Sequence, residues 1–392
     1  MKRLNDILQI TRYECRSMLR SLPILLVLGG GIFLYGLLYN YMYSPNVLRE
    51  VPVAIVDESR TPLSRHYIRL LDATPQVRVQ GVLTDIHQAR ERMKQGEVAG
   101  MVFLPQDFEA KVGRGEEAVF ISYNNAITFL YYAALKEASS GAMFALNEEV
   151  RPGQAVFLDA HVVQPVINTP SIQVQGIALY NGSGGYATYL IPAVLMVIIF
   201  QTMLMVISMR CGMEYEQRMS PLLRMVHEVS SWRTAINIVM GKSVVYAGFY
   251  ALFAIFLLGL LPLVFDLPHL ASPLLLIQLM IPYLLATAFF GLSCSFFFKD
   301  SDAPLLLIAF FSVGLLFLSG ISWPLELMPW PWRVLHCLLP APVGVLAFVK
   351  ANSMGADITD ISREMMLLWG QCVIYLVLAC SVYHYINFRQ AK

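Results

Sequence analysis

The chain has 392 residues, of which 57% are hydrophobic and only 14% charged, and its formal net charge is +1. An average soluble domain carries about 25% charged residues, so the composition excludes an ordinary soluble domain and points to a membrane protein. The near-zero balance, with no basic face beyond the membrane flanks, argues against a nucleic-acid partner.

Residues 1–20 predict an amphipathic helix, with Leu4, Ile7, Leu8, Thr11, Cys15 and Met18 on one stripe and Asn5, Gln9, Arg12, Arg16 and Arg20 on the other. Such a helix lies in the membrane interface, or serves simply as the positive flank of the first span; the two readings are compatible. The first apolar run, about 22–42, lacks an A-x-A cleavage site and is expected to stay as an anchor. Five further spans are expected near 186–209, 243–265, 271–298, 304–321 and 366–387. Lys and Arg cluster before the first span, after the second (Arg210, Arg218, Arg224, Arg233, Lys242) and at the chain end, whereas the 266–270 turn carries only Asp266. The positive-inside rule then places both termini in the cytoplasm of a multi-pass protein. Domain boundaries are expected at 1–43, 44–183 and 184–392.

The 44–183 insertion alternates strand and helix signals. VPVAIVD (51–57) reads as a strand; Thr61-Pro62 opens a helix; 77–82 is extended; Thr84 begins a helix closed by Gly96. Further strands are expected at 98–103 and 117–122, with a short helix from Pro105 to Val112 between them. A long helix follows, with Ile127, Leu130, Ala134, Leu135, Ala138, Ala142 and Leu146 on one face, and 154–180 reads as extended. The alternation implies a small α/β domain with a largely parallel sheet, outside the cytoplasm. The expected fold is therefore an α-helical polytopic membrane protein of six transmembrane helices with an inserted α/β extracytoplasmic domain.

Between the last two expected spans lies SGISWPLELMPWPWRVLHCLLPAP, from Ser319 to Pro342. Prolines at 324, 329, 331, 340 and 342 predict broken backbone, and Glu326 and Arg333 interrupt the apolar run. A re-entrant outer loop over 322–345 is expected, with three of the five tryptophans (Trp323, Trp330, Trp332) at headgroup level. It reads as a surface cap or as an outer gate, in which Trp323, Pro324, Glu326, Pro329 and Pro340 are the candidate residues.

Motifs for chemistry are incomplete. Gly241-Lys242-Ser243 lacks the glycine a phosphate loop needs at Ile236, and His227-Glu228 is followed by Ser231 where a zinc protease needs histidine. The six cysteines (15, 211, 294, 337, 372, 380) and seven histidines show no metal-ligand spacing, and no catalytic constellation or metal site is expected. Within the spans, Gln201, Thr202 and Gln278 are the polar candidates for a transport path, or equally for inter-helix hydrogen bonds. Energy for transport would then come from another polypeptide.

Several pieces together resemble the type-2 permeases of ABC exporters, the subgroup with a large extracytoplasmic domain between the first two of six spans. They are VPVAIVDES, GEVAGMVFLPQDFEAKVGRGE, LYNGSGGYATYLIPAVL, EYEQRMSPLLRMVHEVSSWRTAINIVMGK and the 319–342 loop, in that order over nearly the whole chain. Two positions depart from the pattern: Gly182 stands where many members have proline, and Met219-Ser220 stands where many have Gly-Thr. The resemblance implies a bacterial inner-membrane permease working as a homo- or heterodimer. It also implies separate cytoplasmic ABC ATPase subunits that hold the ATP and magnesium, membrane lipids around it, and a periplasmic adaptor protein. No cofactor is expected on this chain. Glu214, Glu216 and Arg218, below the second span, are the candidate ATPase-coupling residues, unless they are an ordinary solvated flank. Transport of hydrophobic or amphiphilic compounds is the expected function; the alternative is a membrane-anchored ligand-binding or assembly protein without transport.

Overall fold

The computed structural model describes residues 2–43, 47–114, 116, 118–124, 129–157, 185–216, 231–267, 269–297, 300–301 and 303–391. The expected extended return (158–180), the cytoplasmic loop around Arg218 and the position of Ile127 lie outside them. In chain order the elements are α1 (Lys2–Arg20), α2 (Leu22–Met42), β1 (Val51–Asp57), α3 (Pro62–Asp72), β2 (Val77–Leu83), α4 (Ile86–Lys94), β3 (Gly100–Leu104), α5 (Phe108–Gly113), β4 (Ile121–Asn124) and α6 (Phe129–Phe157). There follow α7 (Tyr186–Glu216), α8 (Trp232–Val264), α9 (Pro273–Ser293), α10 (Ala303–Leu318), α11 (Trp330–Leu338), α12 (Pro340–Met354) and α13 (Ser362–Ala391). The chain divides into two compact units, residues 47–177 and the remainder.

In the smaller unit the sheet order is β2-β1-β3-β4, with β1 parallel to both neighbours and β4 antiparallel to β3. Alternate residues of β1 feed two cores. Val53 and Ile55 pack with Tyr67, Leu71 and the Ala134–Leu146 face of α6, while Ala54 and Val56 pack with Ala89 and Met101. Helix α3 starts where the sequence predicts, because Thr61 and Ser64 form a reciprocal capping box and Pro62 needs no amide partner. Helix α4 begins one residue later than expected, with Asp85 rather than Thr84 as its cap. The fourth strand is also displaced, from 117–122 to Ile121–Asn124, and the long helix continues to Phe157 where extended chain was expected.

Among the described residues of the larger unit, five helices are long and apolar enough to cross a membrane: α2, α7, α8, α9 and the Ser362–Phe388 part of α13. Helix α10, expected as the fifth span, has 16 residues and at 1.5 Å per residue extends only about 24 Å, short of a hydrocarbon core of about 30 Å. The 319–342 stretch also differs from expectation. Its prolines begin helices instead of breaking them: Pro331 lies in the first turn of α11 and Pro340 in that of α12. These two helices are bent by 88° and together make a sixth candidate, either one broken span or a re-entrant loop. At the bend, Gln371 donates to the Cys337 carbonyl at 2.8 Å and the Tyr375 hydroxyl donates to the Leu338 carbonyl. His336 donates from Nδ1 to the Leu318 carbonyl at 2.7 Å, closing the end of α10. Helix ends that would otherwise leave bare carbonyls are thereby satisfied by side chains.

Close helix crossings rest on glycine. A Cβ on Gly241 would meet Ile10 at 2.7 Å, and one on Gly344 would meet Tyr283 at 2.2 Å. The first of these contacts seats α1 directly against the α8 backbone, where Thr11 also donates to the Gly241 carbonyl at 3.2 Å.

Candidate functional site

Two features inside the larger unit concern function. One is a buried charge cluster. Its origin is the face that α1 turns inward: Ile10, Glu14 and Met18, four residues apart, are all buried, whereas Leu8 is 44% exposed. The buried stripe is thus rotated from the expected one, and a carboxylate sits at its centre. Glu14 accepts from Arg210 Nε at 3.3 Å and from its terminal nitrogen at 3.2 Å, and also from the Tyr246 hydroxyl. Arg210 donates onward to Glu214 at 3.2 Å, one helical turn along α7. Lys242 of α8 donates to both Glu214 oxygens at 2.7 Å and to the Tyr383 hydroxyl of α13 at 3.4 Å.

Two carboxylates face two cations, so the cluster is formally neutral. Four helices (α1, α7, α8 and α13) meet through it. Burial alone would raise the Glu14 carboxyl, but the charges of Lys242 and Arg210, with hydrogen bonds from Arg210 and Tyr246, outweigh it and hold it at about 2. Glu14 is therefore a carboxylate at any neutral pH.

The second feature is a cavity of about 770 Å³ between α7, α9, α10 and α11. Phe200, Leu204, Phe290, Leu315, Trp323 and Trp332 are among its walls, and among the described lining residues none is charged or carries an amide side chain. Trp323 and Pro329 belong to the segment linking α10 to α11, so the expected gate segment forms one wall of this space.

The expected site residues separate. Glu214 is buried in the cluster, and Glu216, at the end of α7, is exposed and accepts from the Ser301 amide at 3.1 Å. The two do not share a surface; Arg218 lies outside the described residues. Pro324 and Glu326 are exposed and Pro340 is buried at the head of α12. Thr202 is buried and bonds back to the Ile198 carbonyl of its own helix at 2.6 Å; Gln201 is half-buried, and Gln278 is exposed on α9. These three do not line a common path. The sequence reading assigned Arg210 and Lys242 to a charged flank and passed over Glu14. The signal for the cluster was a carboxylate four residues from apolar neighbours on both sides (Ile10, Met18), matched by an Arg-x-x-x-Glu pair at 210 and 214.

The chain is similar to the linearmycin resistance permease protein LnrN of Bacillus subtilis (strain 168), with 29% identity over 101 residues; the aligned part covers 26% of this chain and 26% of that protein. No solved structure matches. A family model described as "ABC-2 family transporter protein" matches residues 20–380, nearly the full length. The charge cluster and the cavity thus sit within the transmembrane architecture of a transporter, and the chain belongs to the ABC-2 family of transporter proteins.

Proposed function

We propose that the chain is the membrane-spanning permease subunit of an ATP-driven ABC exporter, moving hydrophobic or amphiphilic compounds out of the cytoplasm or the inner membrane. The observation that carries this reading is the 770 Å³ cavity, whose walls offer hydrocarbon and aromatic faces and no charge. A site of that size and lining selects by apolar area more than by directed polar contacts, which suits large apolar cargo. The name of the relative, a resistance permease, supports export of a harmful compound as the task.

In this reading the protein has six spans, with α10 as a short fifth and the bent α11–α12 pair as a re-entrant element before the last, both termini in the cytoplasm of a bacterium, and residues 44–183 in the periplasm. Two such subunits pair around the cavity faces and separate ATPase subunits, loaded with ATP and magnesium, drive them; a periplasmic adaptor extends the route. Glu216, on the exposed end of α7, contacts the ATPase, and Glu214 passes the resulting movement into α1 and α8 through the charge cluster. The segment carrying Trp323, Pro324, Glu326 and Pro329 is the outer gate. The test is reconstitution of the permease with its co-purifying ATPase in proteoliposomes. Leu315→Trp, which narrows the cavity, is expected to lower hydrolysis stimulated by amphiphiles while basal hydrolysis persists. Undiminished stimulation would remove the cavity from the transport path.

A further inference from the structure

The outward face of α1 is built from cations. Arg12, Arg16 and Arg20 stand four residues apart, which puts them on one side of the helix, and all three are exposed. With Gln9, Tyr13 and Ser17 they line a groove of about 610 Å³. None of the three arginines has a carboxylate within ion-pair reach among the described residues, while the nearest acid on the helix, Glu14, is committed inward to Arg210 and Tyr246. Beside the column lie exposed apolar side chains, Leu8 at 44% and Leu19 at 50%.

Chain geometry sets the depth of this face. Helix α1 ends at Arg20 and the first span begins at Leu22, so only Ser21 separates the last arginine from the hydrocarbon. A column of guanidinium groups at headgroup level, flanked by leucines that reach further in, matches a phosphate monoanion with acyl chains attached. Guanidinium groups bind phosphate oxygens two at a time, and a groove offering three of them with no competing carboxylate favours an anion over a zwitterion.

We infer that the Arg12–Arg16–Arg20 face of α1 is a binding site for the headgroup of an anionic phospholipid. The site lies on the opposite side of α1 from the charge cluster, so a lipid held here bears on the helix that Glu14 ties to α7 and α8. The inference rests on the chain spanning a membrane, not on what it exports, and its test reads lipid retention with no transport measurement.

The full-length protein, with its co-purifying ATPase, is exposed to mixed micelles of phosphatidylglycerol or phosphatidylcholine, and retained lipid is counted by native mass spectrometry. The wild type is expected to retain phosphatidylglycerol in preference to phosphatidylcholine, and inorganic phosphate should not displace it. R12Q/R16Q/R20Q should lower the apparent affinity by about fivefold per arginine, roughly a hundredfold in all. If that variant does not insert, the three single glutamine variants should each show the partial loss, and R12K/R16K/R20K should keep the preference. Equal retention by the glutamine variants would overturn the site. Displacement by inorganic phosphate would make it a soluble-anion site instead, and loss of lipid only when the ATPase is bound would make this face a protein-docking surface.

Discussion

The charge cluster and the apolar cavity occupy the same helical unit and are built on opposite rules. In the cluster every partner is specified: Glu14 needs Arg210, Glu214 needs Lys242, and each bond has a direction and a length. In the cavity the described wall residues meet through apolar and ring contacts, such as Phe200 with Phe290 at 6.0 Å between ring centres, and its hydrocarbon faces are interchangeable within limits of volume. The contrast teaches how one bundle can be both exact and permissive. Directed, buried polar contacts fix which helices meet, leaving apolar surface free to accept varied shapes.

The comparison breaks most sharply at Lys242. Lys242→Met leaves Glu214 buried with only Arg210 beside it, and removing one partner of a buried ion pair costs about 3–5 kcal/mol. A large fall in the midpoint of thermal unfolding in detergent is expected. Adding Glu214→Leu should recover part of the loss, since an apolar pair leaves no orphaned charge. A variant that unfolds like the wild type would mean that the cluster does not organise the helices.

On the cavity wall the same kind of truncation should matter much less. Phe311 is 58% exposed in the chain and lines the open space, so Phe311→Ala should cost well under the roughly 3–5 kcal/mol typical of a buried phenylalanine. The same detergent melts measure it, and a loss as large as that of Lys242→Met would erase the distinction between the two regions. A finer test lies at the bend, where Tyr375→Phe deletes one donor to the Leu338 carbonyl. The expected loss is about 1 kcal/mol, the value of a single hydrogen bond.

A further test concerns pH. The Glu14 carboxyl lies at about 2 in the folded protein against an ordinary 4.5. A depressed carboxyl pKa contributes stability above the unfolded value and loses it as pH falls towards the folded one. Stability owed to Glu14 should therefore be constant through neutral pH and decline only in the acid range between these two values. A Glu14→Gln variant, compared with wild type by acid titration of the melting midpoint, would show the difference vanishing there; a difference that fades near neutrality would contradict the paired carboxylate.

Much of the smaller unit was legible residue by residue. Strand β1, the Thr61-Pro62 helix start and the inward face of α6 are local signals, and tertiary contacts reinforce them. Strand β4 was misplaced because its position depends on antiparallel pairing with β3, which no local pattern encodes. The cluster was hidden for a similar reason. Lys242 and Arg210 sit near span ends, where positive charge is expected for topology alone, and only the arrival of α1 against Gly241 turns them inward. The prolines of 319–342 were visible, but proline in the first turn of a helix and proline inside one look alike until the helix ends are known.

The corner between α11 and α12 has a mechanical consequence. If the pair were straightened into one helix, the carbonyls of His336 and Leu338 would turn to residues 340 and 342 for donors, and both are proline. The bent form instead supplies Leu338 with the Tyr375 hydroxyl and the neighbouring Cys337 with Gln371. The corner is thus braced: at its 88° angle the carbonyls of Cys337 and Leu338 find side-chain partners. Ahead of it runs the stretch from Gly320, whose φ of +87° no bulkier residue adopts easily, to Pro329. Among the described residues, the Tyr189 hydroxyl donates to the Ile321 carbonyl at 2.6 Å near the start of that stretch.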